Sequence, residues 1–114
     1  MAVIRPKDLM IVKVDIEFNY LHYTKLEIDL EHINRGKNFS RETKFSVEEI
    51  IFLAQLFIDG EHLELDAQKY YEDESCNYFI MIKKFQDNNY KLIFCSCTDR
   101  EDSLGIMTIF RIKE

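Results

Sequence analysis

The sequence predicts a single α+β domain over residues 1–114, with an antiparallel sheet of four or more strands and one or two helices packed on one face. Apolar and polar residues alternate with a period of two in four segments, at residues 12–20, 78–85, 90–98 and 105–112. One further segment, residues 46–59, has apolar residues at helical spacing. The 114 residues, 46% of them hydrophobic, can form one core and leave no room for a second domain.

The first half of the chain contains one clear strand and one ambiguous segment. Residues 12–20 alternate strictly, which is typical of a half-buried strand. In residues 25–35, apolar residues alternate with charged ones as in a strand. However, Thr24 and Glu27 have the spacing of a capping box, and Gly36 lies where a helix would end. We interpret residues 25–35 as a helix.

The clearest predicted helix covers residues 46–59. Ser46 and Glu49 have the spacing of a second capping box, and Gly60 ends the run. Additional apolar residues on the other sides of the helix predict that most of its circumference is buried. Its apolar stripe consists of Ile50, Leu53, Ala54, Phe57 and Ile58.

The last third of the chain predicts an antiparallel meander. Three segments rich in aromatic and β-branched residues are separated by polar stretches at residues 86–89 and 99–103, which we predict to be turns. Leu63 and Leu65, upstream of this meander, form a possible short edge strand.

The charge is unevenly distributed along the chain. Residues 59–78 contain seven acidic residues and one basic residue, so this acidic window carries the whole formal net charge of −6. Residues 33–45 contain four basic residues and one acidic residue. Because the acids are segregated, a local basic patch can still attract a polyanion. Its members are Arg35, Lys37, Arg41 and Lys44.

The cysteines predict thiols and no metal site. Cys95 and Cys97 are two residues apart on a predicted strand, where they are badly placed to bond each other and lack the turn that wraps a metal ion. With Cys76 they make an odd number, so we predict three thiols in a reducing compartment.

Several function classes lack their motifs. The chain has no glycine-rich phosphate loop, so nucleotide binding by a P-loop or a dinucleotide fingerprint is excluded, and no cofactor is expected. It has no nucleophile elbow either, so covalent hydrolase chemistry is unsupported. No apolar run is long enough to span a membrane. Pro6 and Asp8 interrupt the region where a signal peptide needs an apolar run, which predicts a cytoplasmic protein.

One constellation could support catalysis. His32 lies beside the basic segment that carries Arg35, Lys37, Arg41 and Lys44. A histidine can transfer protons near neutral pH, and cationic groups can hold a phosphodiester and its developing charge. This set suffices for metal-free RNA cleavage, in which the 2′-hydroxyl is the nucleophile. The same residues could instead only complement a helix dipole.

Three segments of the chain resemble the small ribonuclease toxins. They are Leu30–Lys37, Thr43–Ile50 and the terminal strand Gly105–Lys113, and the resemblance covers residues 22–114 in element order. The superfamily includes the barnase, EndoU, colicin and RelE types, with the BrnT- and MqsR-like groups. Such toxins are usually strongly basic, whereas this chain is acidic.

This resemblance implies roles for individual residues. It assigns proton transfer to His32 and phosphate binding to Arg35 and Lys44, and it completes the site with Thr108 and Arg111 on the last strand. Lys37 and Arg41 are then RNA-binding residues. The implied partners are RNA and a possible cognate antitoxin.

A non-catalytic binding protein is the alternative. The acidic window, residues 59–78, also contains aromatic residues, and such a surface could neutralise a basic partner as immunity proteins and antitoxins do.

Overall fold

The computed structural model describes residues 9–34, 41–42, 45–60, 68–72 and 75–112. These residues form an α+β fold, as the sequence predicts. The elements in chain order are β1 (Leu9–Phe18), β2 (Leu21–Asp29), α1 (Leu30–Asn34), β3 (Arg41–Glu42), α2 (Val47–Ile58), β4 (Gln68–Glu72), β5 (Cys76–Phe85), β6 (Asn88–Cys97) and β7 (Arg100–Ile112). The possible strand at Leu63 and Leu65 lies outside the described residues.

The strands form one mostly antiparallel sheet in the order β1-β2-β7-β6-β5-β4, and β3 pairs with β7 beyond the end of β2. The β2–β7 pair is parallel, over residues 25–28 and 103–106. The prediction of an antiparallel sheet therefore missed one pair. Alternation along a strand reports which face is buried but not the direction of the neighbouring strand, which is set by the route of the chain between them.

The predicted helix over residues 25–35 is wrong for most of its length. Residues 25–29 continue β2, and only five residues, Leu30–Asn34, are helical. Leu26 and Ile28 are fully buried, and they pair with Leu104 and Ile106 of β7. The strand pattern prevails because it places both side chains in the core, whereas local capping signals contribute only about 1 kcal/mol.

The predicted helix α2 is confirmed together with its cap. The Glu49 backbone N–H donates to Ser46 Oγ at 3.1 Å, and the Ser46 backbone N–H donates to Glu49 Oε1 at 3.0 Å. The predicted apolar stripe is buried. The rest of the circumference is not, since Phe52 is 52% and Leu56 46% exposed. The expectation of burial on most sides is therefore wrong.

Replacing Ser46 by alanine should lower the free energy of unfolding by about 1 kcal/mol, because the N–H of Glu49 loses its acceptor. Urea denaturation followed by circular dichroism measures this loss. The control Glu48→Gln leaves both capping hydrogen bonds in place, and we expect it to change stability by less than about 0.5 kcal/mol. Equal losses in the two variants would contradict a capping role for Ser46.

The main core lies between α2 and a strongly curled sheet. The ring of Phe18 in β1 lies 5.1 Å from the rings of both Phe79 in β5 and Phe94 in β6. In a flat sheet, β1 and β5 would be four strand spacings apart, or roughly 19 Å. The sheet therefore curls over its own apolar face. The helices contribute Ile33 of α1 and the buried stripe of α2 to this same cluster.

Two hairpins have tight two-residue turns. Asn19 and Tyr20 join β1 to β2, and Gln86 and Asp87 join β5 to β6. All four residues have positive φ, as in a type I′ turn, whose twist matches that of the flanking strands. The turn predicted at residues 99–103 is shorter than expected, because β7 already begins at Arg100.

The prediction of three thiols is wrong. Cys76 and Cys97 form a disulfide, and only Cys95 of the three remains a thiol. Cys76 lies directly opposite Cys97 in the β5–β6 ladder, with 4.0 Å between the two Cα atoms. The spacing of Cys95 and Cys97 along one strand gives no information about this contact across strands.

Candidate nucleic-acid interface

Basic residues gather at one end of the sheet, around the β5–β6 turn and the last residues of β7. Lys83 pairs with Tyr90, which in turn pairs with Arg111. Lys84 and Lys91 lie in the two adjoining rows of the same ladders. We call the side chains of Lys83, Lys84, Lys91 and Arg111 the basic end.

The predicted basic segment reaches the same place. Arg41 of β3 pairs through its backbone with Ile112 of β7, and Glu42 pairs with Arg111. The backbone of Arg41 and Glu42 therefore lies beside the basic end. Three predicted site residues of this segment, Arg35, Lys37 and Lys44, lie outside the described residues, and only the backbone position of Arg41 is described.

His32 lies on α1, which packs against β7. The carboxylate of Asp29, the last residue of β2, accepts a hydrogen bond of 3.1 Å from the His32 backbone N–H and so caps this short helix. The His32 side chain is exposed. β2 pairs with β7 as far as residue 106, and β3 pairs with β7 from residue 111 onward. In the sequence, α1 lies between β2 and β3.

The two predicted site residues on β7 do not form one cluster. Thr108 and Arg111 are three positions apart, and side chains alternate along a strand, so they project to opposite faces. Arg111 shares the core face with Lys83 and Tyr90. Thr108 shares the other face, which we call the far face, with Lys84 and Lys91.

Aromatic packing holds the basic end in place. The ring of Tyr90 lies 5.7 Å from that of Phe57 and 6.5 Å from that of Phe45. These contacts connect β6 to α2 and to the residue before the N-cap of α2. The ring of Phe85 lies 5.5 Å from that of Phe52 in α2. The lysines thus extend from a strand pair that is anchored on both sides of its turn. Because this backbone is already ordered, ligand binding carries little entropic cost for ordering it.

The opposite end of the sheet, at the β6–β7 turn, has paired charges. Arg100 donates from Nη1 to Glu27 Oε1 at 3.1 Å and lies 3.3 Å from the carboxylate of Asp99. Lys25 lies 3.3 Å from Asp102, and its hydrogen bond lowers the pKa of the Asp102 carboxyl. Positive charge at this end is therefore accompanied by carboxylates.

A second histidine has a defined partner. His22 of β2 hydrogen-bonds through Nε2 to the carboxylate of Asp15 on the neighbouring strand β1, and both side chains are exposed. The sequence pattern predicts no role for His22. This pair belongs to the β1–β2 hairpin, and His22 is therefore a matched control for His32.

Other site types find no support within the described ranges. No group of three or more His, Cys, Asp or Glu side chains there is arranged to hold a metal ion. None of the helices described is long and apolar enough to cross a membrane. No protein-family model, curated protein or solved structure matches the chain.

Sequence reasoning missed three of the four cations of the basic end, Lys83, Lys84 and Lys91. A signal was present, because Lys83 and Lys84 are adjacent and a hairpin centred on residues 86–87 brings Lys91 alongside them. Residues 86–89 were predicted only as a turn, and the strand register on either side of that turn was not predicted. Arg111 was identified, but through the resemblance and without these neighbours.

Proposed function

We propose that the protein binds RNA at the basic end and cleaves it without a metal ion, as a toxin-like endoribonuclease. The observation that supports this most directly is that two predicted site elements border β7, which carries Arg111 near its end. β3 with Arg41 pairs with that end, and α1 with His32 packs against β7. The sheet adds Lys83, Lys84 and Lys91, which the prediction did not use.

The charge distribution favours binding there despite the net charge of −6. The cations of the basic end lie on β5, β6 and β7, which are neighbouring strands about 4.8 Å apart, so the strands that carry them span roughly 10 Å. Such a row can follow the phosphates of a single strand. Because cations lie on both faces, the proposed path of the RNA crosses the strand ends.

In the proposed mechanism His32 transfers the proton. The 2′-hydroxyl of the RNA attacks the neighbouring phosphorus as His32 accepts its proton. The bond from phosphorus to the 5′-oxygen breaks, a 2′,3′-cyclic phosphate forms, and the departing 5′-oxygen takes a proton from water. Arg111 and the lysines stabilise the charge that develops on the phosphate oxygens. Arg35, Lys37, Arg41 and Lys44 are proposed to supply further phosphate contacts, and Thr108 contacts the RNA from the far face. The proposed compartment is the cytoplasm, with a cognate antitoxin as a further partner.

The salt dependence of binding tests the interface. For a single strand, log K falls with log salt concentration by about 0.7 for each phosphate neutralised. Replacing both Lys84 and Lys91 by alanine should therefore make the slope less steep by about 1.4. Fluorescence anisotropy with a 2′-O-methyl oligonucleotide, which cannot be cleaved by this route, measures the slope.

The control is Lys13→Ala, which removes a lysine of β1 that pairs with Lys25, away from the basic end. It should leave the slope unchanged. An equal reduction by Lys13→Ala would mean that net charge, and not this site, controls binding. No measurable binding would overturn the proposal and favour the alternative function, an acidic protein that neutralises a basic partner through residues 59–78.

A further inference from the structure

The far face carries a small second cluster of buried side chains. Cys76, Cys95 and Cys97 are each less than 10% exposed, and the partly buried Tyr78 packs against them. This cluster is separate from the main core, which contains the stripe of α2 and lies on the core face. Among the described residues, this second cluster consists of the three cysteines and Tyr78.

The ladders beside this cluster are irregular. The β6–β7 register shifts between Ser96 and Cys97, and the β4–β5 register shifts between Lys69 and Tyr71. A register shift leaves residues without a regular ladder partner and locally weakens the pairing. The disulfide crosses between β5 and β6 at this point, where a backbone hydrogen bond of 2.7 Å also joins Thr98 to Ser75.

The thiol of Cys95 is enclosed in the same cluster. Cys95 pairs with Gly105 of β7, and a Cβ atom built on Gly105 would lie only 2.9 Å from Cys95 Sγ. The glycine thus leaves the space that the sulfur occupies. Any reagent that attacks this sulfur needs the cluster to open.

We propose that the Cys76–Cys97 disulfide is a redox-sensitive staple that keeps this cluster closed, and that its reduction exposes the Cys95 thiol. The reductant is a dithiol. The Cys76–Cys97 bond breaks, each sulfur gains one hydrogen, and the dithiol loses two hydrogens and closes to its own disulfide. In the reducing cytoplasm proposed above, the staple would be open.

Opening is confined to the β6–β7 turn and the start of β5. The other end of the β5–β6 hairpin is held by the Tyr90–Phe57 and Phe85–Phe52 ring contacts, which do not depend on the disulfide. Cys76 and Cys97 are opposite each other in the ladder, so reduction leaves the strand order intact. The inference does not depend on RNA binding.

Labelling of Cys95 by iodoacetamide tests the proposal. In the variant Cys76→Ala/Cys97→Ala, the only cysteine left is Cys95, and we expect it to react about tenfold faster or more than in the oxidised wild type. Hydrogen exchange should rise at residues 75–78 and 96–100 and stay unchanged at residues 83–91. The wild type treated with dithiothreitol and desalted without air gives the same exchange comparison if the double variant does not fold.

Three outcomes would overturn the proposal. In the first, the oxidised wild type, unfolded without reductant, shows three titratable thiols instead of one. In the second, Cys95 reacts equally fast with and without the disulfide. In the third, exchange rises equally over residues 83–91, because the disulfide would then support the whole hairpin and not a local opening.

Discussion

Replacing His32 by alanine should lower the rate of RNA cleavage by about 10²–10⁴-fold, the usual contribution of a general acid or base. The fold should survive, because the His32 side chain is exposed and the capping hydrogen bond to Asp29 uses its backbone N–H. RNA affinity should change little, since the proposed phosphate contacts are made by the cations of the basic end. Cleavage of an end-labelled RNA in the presence of EDTA measures the rate.

The matched control is His22→Ala. His22 is also an exposed histidine with a carboxylate neighbour, but it lies on the β1–β2 hairpin and pairs with Asp15. Its removal should leave the cleavage rate unchanged. A substrate with a single 2′-deoxyribose at the cleavage site should remain whole, because it lacks the nucleophile. Equal rates for the wild type and His32→Ala, or loss of cleavage in EDTA, would refute the mechanism.

Replacing Arg100 by alanine should lower the free energy of unfolding by about 3 kcal/mol, at the lower end of the range for breaking a buried ion pair. The Glu27 side chain is only 8% exposed, and it lies next to β7 in the parallel β2–β7 pair. Without the guanidinium, the Glu27 carboxylate keeps the cost of burial and loses the positive charge 3.1 Å away. The lower end applies because the Arg100 side chain is 21% exposed.

Changing the other partner of the pair, by Glu27→Gln, should lower the free energy of unfolding by less than Arg100→Ala does. In the Glu27→Gln variant, Arg100 keeps its contact with Asp99. Its side chain is also more exposed to solvent, at 21%, than that of Glu27, at 8%. Lys25→Ala is the control for charge alone, because the Lys25–Asp102 pair is about half exposed and worth at most about 1 kcal/mol. Urea denaturation gives all three values. A larger loss for Lys25→Ala than for Arg100→Ala would contradict the role of burial.

The candidate site was partly predictable. His32 and Arg41 stand out locally, because a titratable ring and a run of cations can be recognised along the chain. Lys84 and Lys91 could not be assigned to the site in the same way, since their relation to Arg111 depends on two ladders, β5–β6 and β6–β7. The separation of Thr108 from Arg111 was readable from alternation alone, but the resemblance grouped them.

Features that depend on neighbouring residues were predictable from the amino-acid sequence alone. The α2 cap at Ser46 and Glu49 is one, because its donors and acceptors lie within four positions of each other. The strands of the meander are another, since alternation is a property of each segment. In these places local signals and burial favour the same structure.

Features that depend on residues far apart in the sequence could not be predicted from single segments, because they arise from the tertiary structure. The region around Leu26 forms a strand because it pairs with β7 in parallel and is buried there, although its local capping signal favours a helix. Cys76 lies opposite Cys97, and the lysines of β5 and β6 lie near Arg111, because the inter-strand register brings together residues about 20 positions or more apart. A register is selected by the burial of whole strands at once, so no short segment contains it.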